Sequence, residues 1–215
     1  MSVTTVSPFV GREHDLDALR RLLDDARRGE GRLVGIAGEA GMGKTRLASE
    51  FASLARAEGA TVVWCRCTNE SGAPPYSAWL EAWPGEGWNA ADTEAADGFD
   101  PSPTVAAREV FERHQAVWNR IRAMGEGSAA VVVVDDAQWV DPASLALLDH
   151  ISRRVGSTNV LVIVGYRQNE VGERHGLQQV LVRGHTIPLE GLTKDAVSTM
   201  LASLRGSEGD ARDVE

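Results

Sequence analysis

The chain has 215 residues, 43% hydrophobic and 25% charged, and a formal net charge of −9 from 31 acidic against 22 basic side chains. That length suits one sizeable α/β domain, and the acidic balance argues against direct nucleic-acid binding by this segment, because gripping phosphates needs a basic face. No apolar run approaches the roughly 20 residues of a membrane span and no charged-then-apolar leader opens the chain, so no membrane partner and a cytoplasmic location are expected.

Residues 1–8 are polar and expected to be mobile. From Glu13 to Arg28, Leu16, Leu19, Leu22 and Leu23 recur at helical spacing among charges, which predicts an amphipathic helix. Leu33–Ala37 reads as a short buried strand. After a glycine-rich turn, Lys44–Glu58 returns to helical spacing through Leu47, Phe51 and Leu54, and Gly59 stops it. The β-branched run Ala60–Cys65 predicts a second strand. Cys65 and Cys67 are the only cysteines; two apart on a strand they share a face and do not bridge, and no second Cys/His pair accompanies them, so both are expected to be packing residues.

Pro84–Thr104 is rich in Gly, Ala, Asp and Pro without periodicity and is expected to be a flexible insertion. Thr104–Met124 predicts a long helix with Val110, Phe111, Val117, Trp118 and Ile121 on its apolar side. Val131–Val134 is all apolar, as in a parallel sheet buried on both faces. Asp141 and Pro142 supply an N-cap and a first-turn proline for a helix to about Val155. Asn159–Val164 and His185–Leu189 predict a fourth and a fifth strand, and Thr193 caps a last helix that fades into a polar tail over 205–215. Strands alternating with helices predict an α/β domain over residues 9–204, a five-stranded parallel sheet with helices on both faces, and no second domain.

Gly38-Glu39-Ala40-Gly41-Met42-Gly43-Lys44-Thr45 fits G-x-x-x-x-G-K-[ST], the Walker A loop, placed between a buried strand and a helix. Glycines at this spacing let backbone N–H groups turn inward around phosphates, and the helix presents its positive end, with Arg46 in its first turn. Lys44 is expected to reach the β- and γ-phosphates and Thr45 to offer its hydroxyl to Mg²⁺. Val131–Val134 followed by Asp135 and Asp136 reads as a Walker B strand, its carboxylates at the end of a parallel strand where ligands bind. Asp135 is the expected Mg²⁺ ligand, through water, and Asp136 the group that orients or deprotonates the attacking water. No N-K-x-D loop for guanine occurs, which favours adenine, so ATP or ADP with Mg²⁺ is the expected ligand.

Around these motifs a family resemblance emerges. Phe9-Val10-Gly11-Arg12-Glu13 resembles the F-V-G-R-E box of AAA-like P-loop NTPases of the ASCE type, which implies that Val10, Gly11 and Arg12 lie against the adenine. Asp135-Asp136-Ala137-Gln138-Trp139-Val140-Asp141-Pro142-Ala143-Ser144 resembles the D-D-x-Q-W-x-D-P-x-S signature of the signal-transduction ATPases with numerous domains (STAND), particularly large bacterial LuxR-type and antibiotic-regulatory transcription factors. Gly165-Tyr166-Arg167 resembles that branch's T-Y-R, which implies that Arg167 senses the γ-phosphate, and Leu189-Glu190-Gly191-Leu192-Thr193 resembles its L-x-x-L-[ST] segment. The resemblance further implies an inducer, nucleotide-dependent self-association, and an effector or DNA-binding domain outside this chain. Members continue into a winged-helix lid and sensor repeats, whereas this sequence stops soon after the fifth strand, as an excised domain or a stand-alone protein would.

The leading functional expectation is a nucleotide switch with slow ATP hydrolysis, because Asp136 is one methylene shorter than the glutamate that motor ATPases place there. The alternatives are a stand-alone AAA+-like remodeller or a small-molecule kinase, and a module that binds nucleotide for stability alone. In the kinase reading Trp79 and Trp83 line an acceptor pocket; in the others they are core. His14, His114, His150, His175 and His185 fall in no catalytic or metal spacing.

Overall fold

Five parallel strands in the order β2-β3-β4-β1-β5 carry the molecule. The computed structural model describes residues 9–70, 72–83, 103–171 and 175–210. In chain order these form α1 (Glu13–Arg27), β1 (Arg32–Ala37), α2 (Lys44–Ala57), β2 (Thr61–Arg66), α3 (Ser77–Ala82), α4 (Pro103–Met124), β3 (Ala130–Asp135), a 3₁₀ turn (Ala137–Trp139), α5 (Pro142–Ser152), β4 (Val160–Tyr166), α6 (Gln168–Val171), α7 (His175–Leu181), β5 (His185–Pro188) and α8 (Lys194–Asp210). Residues 1–8 and 84–102, expected to be a mobile start and an insertion, lie outside the described residues. Helix α4 takes in Pro103 and Thr104, and α8 runs to Asp210, beyond the end expected at 204.

Why the central strands read as continuous apolar runs is now physical. Every residue of β3 and β4 is buried, because helices cover both faces. Val132, Val134, Val162, Val164 and Leu33 point into a cluster with Val117, Trp118 and Ile121 of α4, Leu147, Leu148 and Ile151 of α5, and Leu177 and Val180 of α7. Val131, Val133, Leu161, Ile163, Val34 and Ile36 point the other way, onto Leu19 and Leu23 of α1 and Leu47 and Phe51 of α2. Each such large aliphatic contributes about 1.5–3 kcal/mol on burial, so the two layers lock the register of the sheet.

The free thiols of Cys65 and Cys67 are buried in the first cluster as packing residues; burial, ahead of nearby carboxylates, pushes the Cys67 thiol up to about 12. Trp79 and Trp83 stack with centroids 6.1 Å apart and are 1% and 9% exposed, so both pack in the first cluster. No helix among the described residues is long and apolar enough to cross a membrane.

Because β1 lies between β4 and β5, the chain turns to opposite sides of β1 as it builds the sheet. Such a switch point leaves a crevice at the carboxyl ends of the strands. The loops after β1, β3, β4 and β5 all open there.

Candidate functional site

The loop after β1 is shaped by glycine backbones. Gly41 and Gly43 sit at φ +77° and +86°, left-handed values that side-chain-bearing residues rarely adopt, and Gly43 starts α2. The first turn of α2 carries no acidic residue and no side-chain cap, which leaves its N–H groups and positive end for an anion. Glu39 is exposed at the crest with Ala40. Lys44 is only 7% exposed, and its Nζ donates to the carbonyls of Gly38 at 3.0 Å and Glu39 at 2.9 Å. Burial pulls its pKa down, while the charge of Asp136 opposes that shift.

Thr45 donates through Oγ1 to Asp135 Oδ1 at 3.2 Å. Asp135 is 2% exposed; burial raises its pKa, and the bond from Thr45 works against the rise. Asp136 adopts a left-handed backbone at φ 53°, which turns the chain from β3 into the 3₁₀ turn. That turn aims Gln138 back at the strand ends: its Nε2 donates to Asp136 Oδ1 at 2.9 Å, and its Oε1 accepts from the backbone N–H of Arg167 at 3.1 Å. The Arg167 guanidinium stands 4.8 Å from the Trp139 ring centroid and donates to Glu170 Oε1 at 2.8 Å. Asp141 caps α5 as expected, accepting from Ala143 and Ser144, and takes a third bond from the N–H of Tyr76 at 3.2 Å.

Beside the loop lies a cavity of about 270 Å³. Phe9, Val10 and Arg12 wall one side, Gly41, Met42, Gly43 and Arg46 the floor, and Leu192 and Met200 the far side. Gly11 holds φ +73°, and a Cβ there would stand 2.7 Å from the Cβ of Ala196 on α8. Arg12 does more than line the cavity. Its Nη2 donates to the Met42 carbonyl at 3.1 Å and to the Glu190 carbonyl at 2.5 Å, tying the segment before α1 to both the loop and the link into α8. Arg46 is paired with Glu50 at 2.5 Å.

The structure thus brings Lys44, Thr45, Asp135, Asp136 and Arg167 to one edge of the sheet, with Val10, Arg12, Gly41, Met42, Gly43 and Arg46 around an adjoining cavity. The donors suit a nucleoside polyphosphate with a divalent cation: an amine and helix end for phosphate, a hydroxyl–carboxylate pair for the cation, and a largely apolar slot for a base. Sequence reasoning missed Gln138, Leu192 and Met200. The motif strings held Gln138 and Leu192 without a role for either, and nothing marked Met200.

A family model described as AAA ATPase domain matches residues 8–163. The chain is 26% identical over 198 residues to an uncharacterized protein of Rhizobium meliloti (strain 1021), an alignment covering 77% of this chain and 19% of that one. Among solved structures, the Walker-type ATPase of Pyrococcus abyssi aligns at TM-score 0.57 and 16% identity, over 91% of this chain and 57% of that one. The ORC1 protein of Aeropyrum pernix in complex with DNA aligns at TM-score 0.55 and 20% identity, over 92% and 51%. The chain therefore spans about half the length of these structures and 19% of the Rhizobium relative.

Proposed function

This chain belongs to the AAA ATPase domain family, and on that premise we propose that it is an adenine-nucleotide switch with slow, Mg²⁺-dependent ATP hydrolysis. The observation that carries the reading is the buried Lys44 amine, which donates to the carbonyls of Gly38 and Glu39 in its own loop. Burial lowers its pKa although the charges of Asp136, Asp135 and Glu39 pull the other way, and phosphate oxygens would add anionic acceptors that its carbonyl partners do not provide.

Gly38–Arg46 would hold the phosphates, and the cavity between Val10, Arg12, Met42, Leu192 and Met200 the adenine. Thr45 and Asp135 would hold Mg²⁺, which when bound supplies positive charge against the phosphate oxygens. Asp136 would orient the attacking water and Arg167 would face the γ-phosphate. Slow turnover, below about 1 s⁻¹, fits an aspartate, one methylene shorter than glutamate, in the position that faces the attacking water.

The regulatory role rests on the likeness of the Asp135–Ser144 string, whose Asp141 caps α5, to the signature of regulatory ATPases. In this reading the ATPase is the regulatory part of a transcriptional regulator. ADP holds one state; ATP and an inducer favour a self-associating one, read out by an effector or DNA-binding domain outside this chain. Only differential affinity for the two states drives such a switch.

The test is the thermal midpoint of nucleotide-stripped protein with ADP, ATP or GTP plus Mg²⁺, beside Lys44→Ala. A ligand at 100 times its Kd stabilises by about 2.7 kcal/mol, a shift of roughly 5–11 °C for a domain of this size. An adenine-selective shift lost in Lys44→Ala supports the reading; no shift with any nucleotide sinks it.

A further inference from the structure

We infer that Gln138 is a positioning residue that couples the carboxylate of Asp136 to the strand end bearing Arg167. The inference rests on the nucleotide-switch reading and deepens it.

Gln138 is 1% exposed, and both ends of its amide are used. Nε2 meets an acceptor, Asp136 Oδ1, at 2.9 Å, and Oε1 meets a donor, the N–H of Arg167, at 3.1 Å. A carboxylate only accepts and a backbone N–H only donates, so the amide has a single workable orientation. Its neighbours on the turn, Ala137 and Val140, are 0% and 3% exposed, and the shielded setting strengthens both bonds.

What the amide joins gives it a role beyond filling space. Asp136 and Arg167 both stand near enough to Lys44 to act on its charge, in opposite senses, which places both close to the phosphate-binding loop. They directly follow different strands, β3 and β4, and no side-chain bond links them directly among the described residues. The Arg167 side chain meanwhile lies over Trp139, next to Gln138, and pairs with Glu170. A displacement of the β4 end that moves Arg167 toward or away from phosphate therefore pulls on the amide, and the amide pulls on Asp136. One neutral group makes the carboxylate's position depend on the state of the neighbouring strand.

The test compares Kd for Mg-ATP and Mg-ADP, and single-turnover hydrolysis, in wild type, Gln138→Met, Gln138→Glu, Asp136→Asn and the Asp136→Asn/Gln138→Met double variant. Methionine matches the length and makes neither bond. Glutamate keeps an acceptor for Arg167 but turns a carboxylate toward Asp136. Both Gln138 variants are expected to keep wild-type ADP affinity while the ATP-over-ADP preference and kcat fall roughly 10- to 100-fold, as for a lost hydrogen bond to a charged group. In the Asp136→Asn background, Gln138→Met is expected to change nothing further, because its effect runs through that carboxylate. Additive losses in the cycle, or an unchanged preference and kcat in both Gln138 variants, overturn the coupling while leaving nucleotide binding intact. Wild-type protein that binds neither nucleotide overturns the switch reading and this inference together. If Gln138→Met does not fold, Gln138→Glu alone carries the comparison.

Discussion

The hydroxyl of Thr45 donates to Oδ1 of Asp135 at 3.2 Å, joining the first turn of α2 to the end of β3 across 90 positions of sequence. Burial raises the Asp135 pKa above its ordinary 3.8, so the folded state holds that proton more tightly than the unfolded chain does. Ionisation therefore costs stability. The cost is absent below pH 3.8, grows as pH rises toward the folded pKa, and is complete above it. Nucleotide-free Asp135→Asn is expected to unfold at higher urea than wild type at pH 7, with the gap closing toward pH 4. The same variant should lose the gain in ATP affinity that Mg²⁺ provides, by more than about tenfold, since even outer groups of metal sites matter that much. A variant that kept the full Mg²⁺ effect would remove Asp135 from the cation site.

Arg167 donates to Glu170 at 2.8 Å, but the two side chains are 27% and 42% exposed. Such a half-exposed pair contributes up to about 1 kcal/mol, and the Trp139 face adds a similar amount. If phosphate competes with Glu170 for this guanidinium, Glu170→Ala raises the ATP-over-ADP preference, by no more than about fivefold. Arg167→Ala should abolish the preference. Competition titrations with the two nucleotides read both effects, and a Glu170→Ala variant with weaker ATP preference would mean that Glu170 aims the arginine instead of detaining it.

How much of this was legible beforehand depended on whether the signal was local. The strands at Leu33–Ala37 and Val131–Val134 announced themselves because burial on both faces permits no polar position, and the left-handed glycines 41 and 43 because only glycine accepts that backbone cheaply. Asp141 was readable as a cap because an N-cap is satisfied within its own turn. Helix α3 escaped notice because six residues hold too little periodicity, although α7 carried Leu177, Val180 and Leu181 at helical spacing. Gln138 and Arg12 were visible as letters, but their partners, Arg167 and Glu190, are 29 and 178 positions away. No spacing rule reaches that far.

Gly11 provides a steric test of the cavity. A methyl group there meets the Cβ of Ala196 at 2.7 Å and Leu192 Cδ2 at 3.3 Å, and φ +73° is strained for alanine. Gly11→Ala is therefore expected to destabilise by about 1–3 kcal/mol, strain and overpacking together. Because the methyl pushes α8 away from the segment before α1, adenine-nucleotide affinity should also fall, by roughly tenfold. Adding Ala196→Gly relieves the clash and leaves the strain, so affinity should recover more than stability does. Chemical unfolding and calorimetric titration separate the two. Unchanged affinity in Gly11→Ala would place the base elsewhere.

His114 offers a pH test away from the strand ends. It is 5% exposed, its Nε2 lies 3.0 Å from the Tyr76 hydroxyl, and its ring centroid is 5.5 Å from that of His150. Burial, followed by the charges of His150 and Arg113, lowers its pKa from 6.5 to about 4. The unfolded chain thus takes up the proton first. The stability His114 contributes as a neutral ring is full above pH 6.5, declines as pH falls, and is gone below about 4. The slope cannot exceed about 1.4 kcal/mol per pH unit, so the total is of order 1–3 kcal/mol. His150, also lowered chiefly by burial, adds to the same decline. His114→Gln keeps an acceptor for the Tyr76 hydroxyl but does not titrate. Its urea midpoint should fall less steeply than that of wild type between pH 7 and 4, the carboxylates contributing equally to both. Parallel curves would mean that His114 takes up its proton alike in the folded and the unfolded chain.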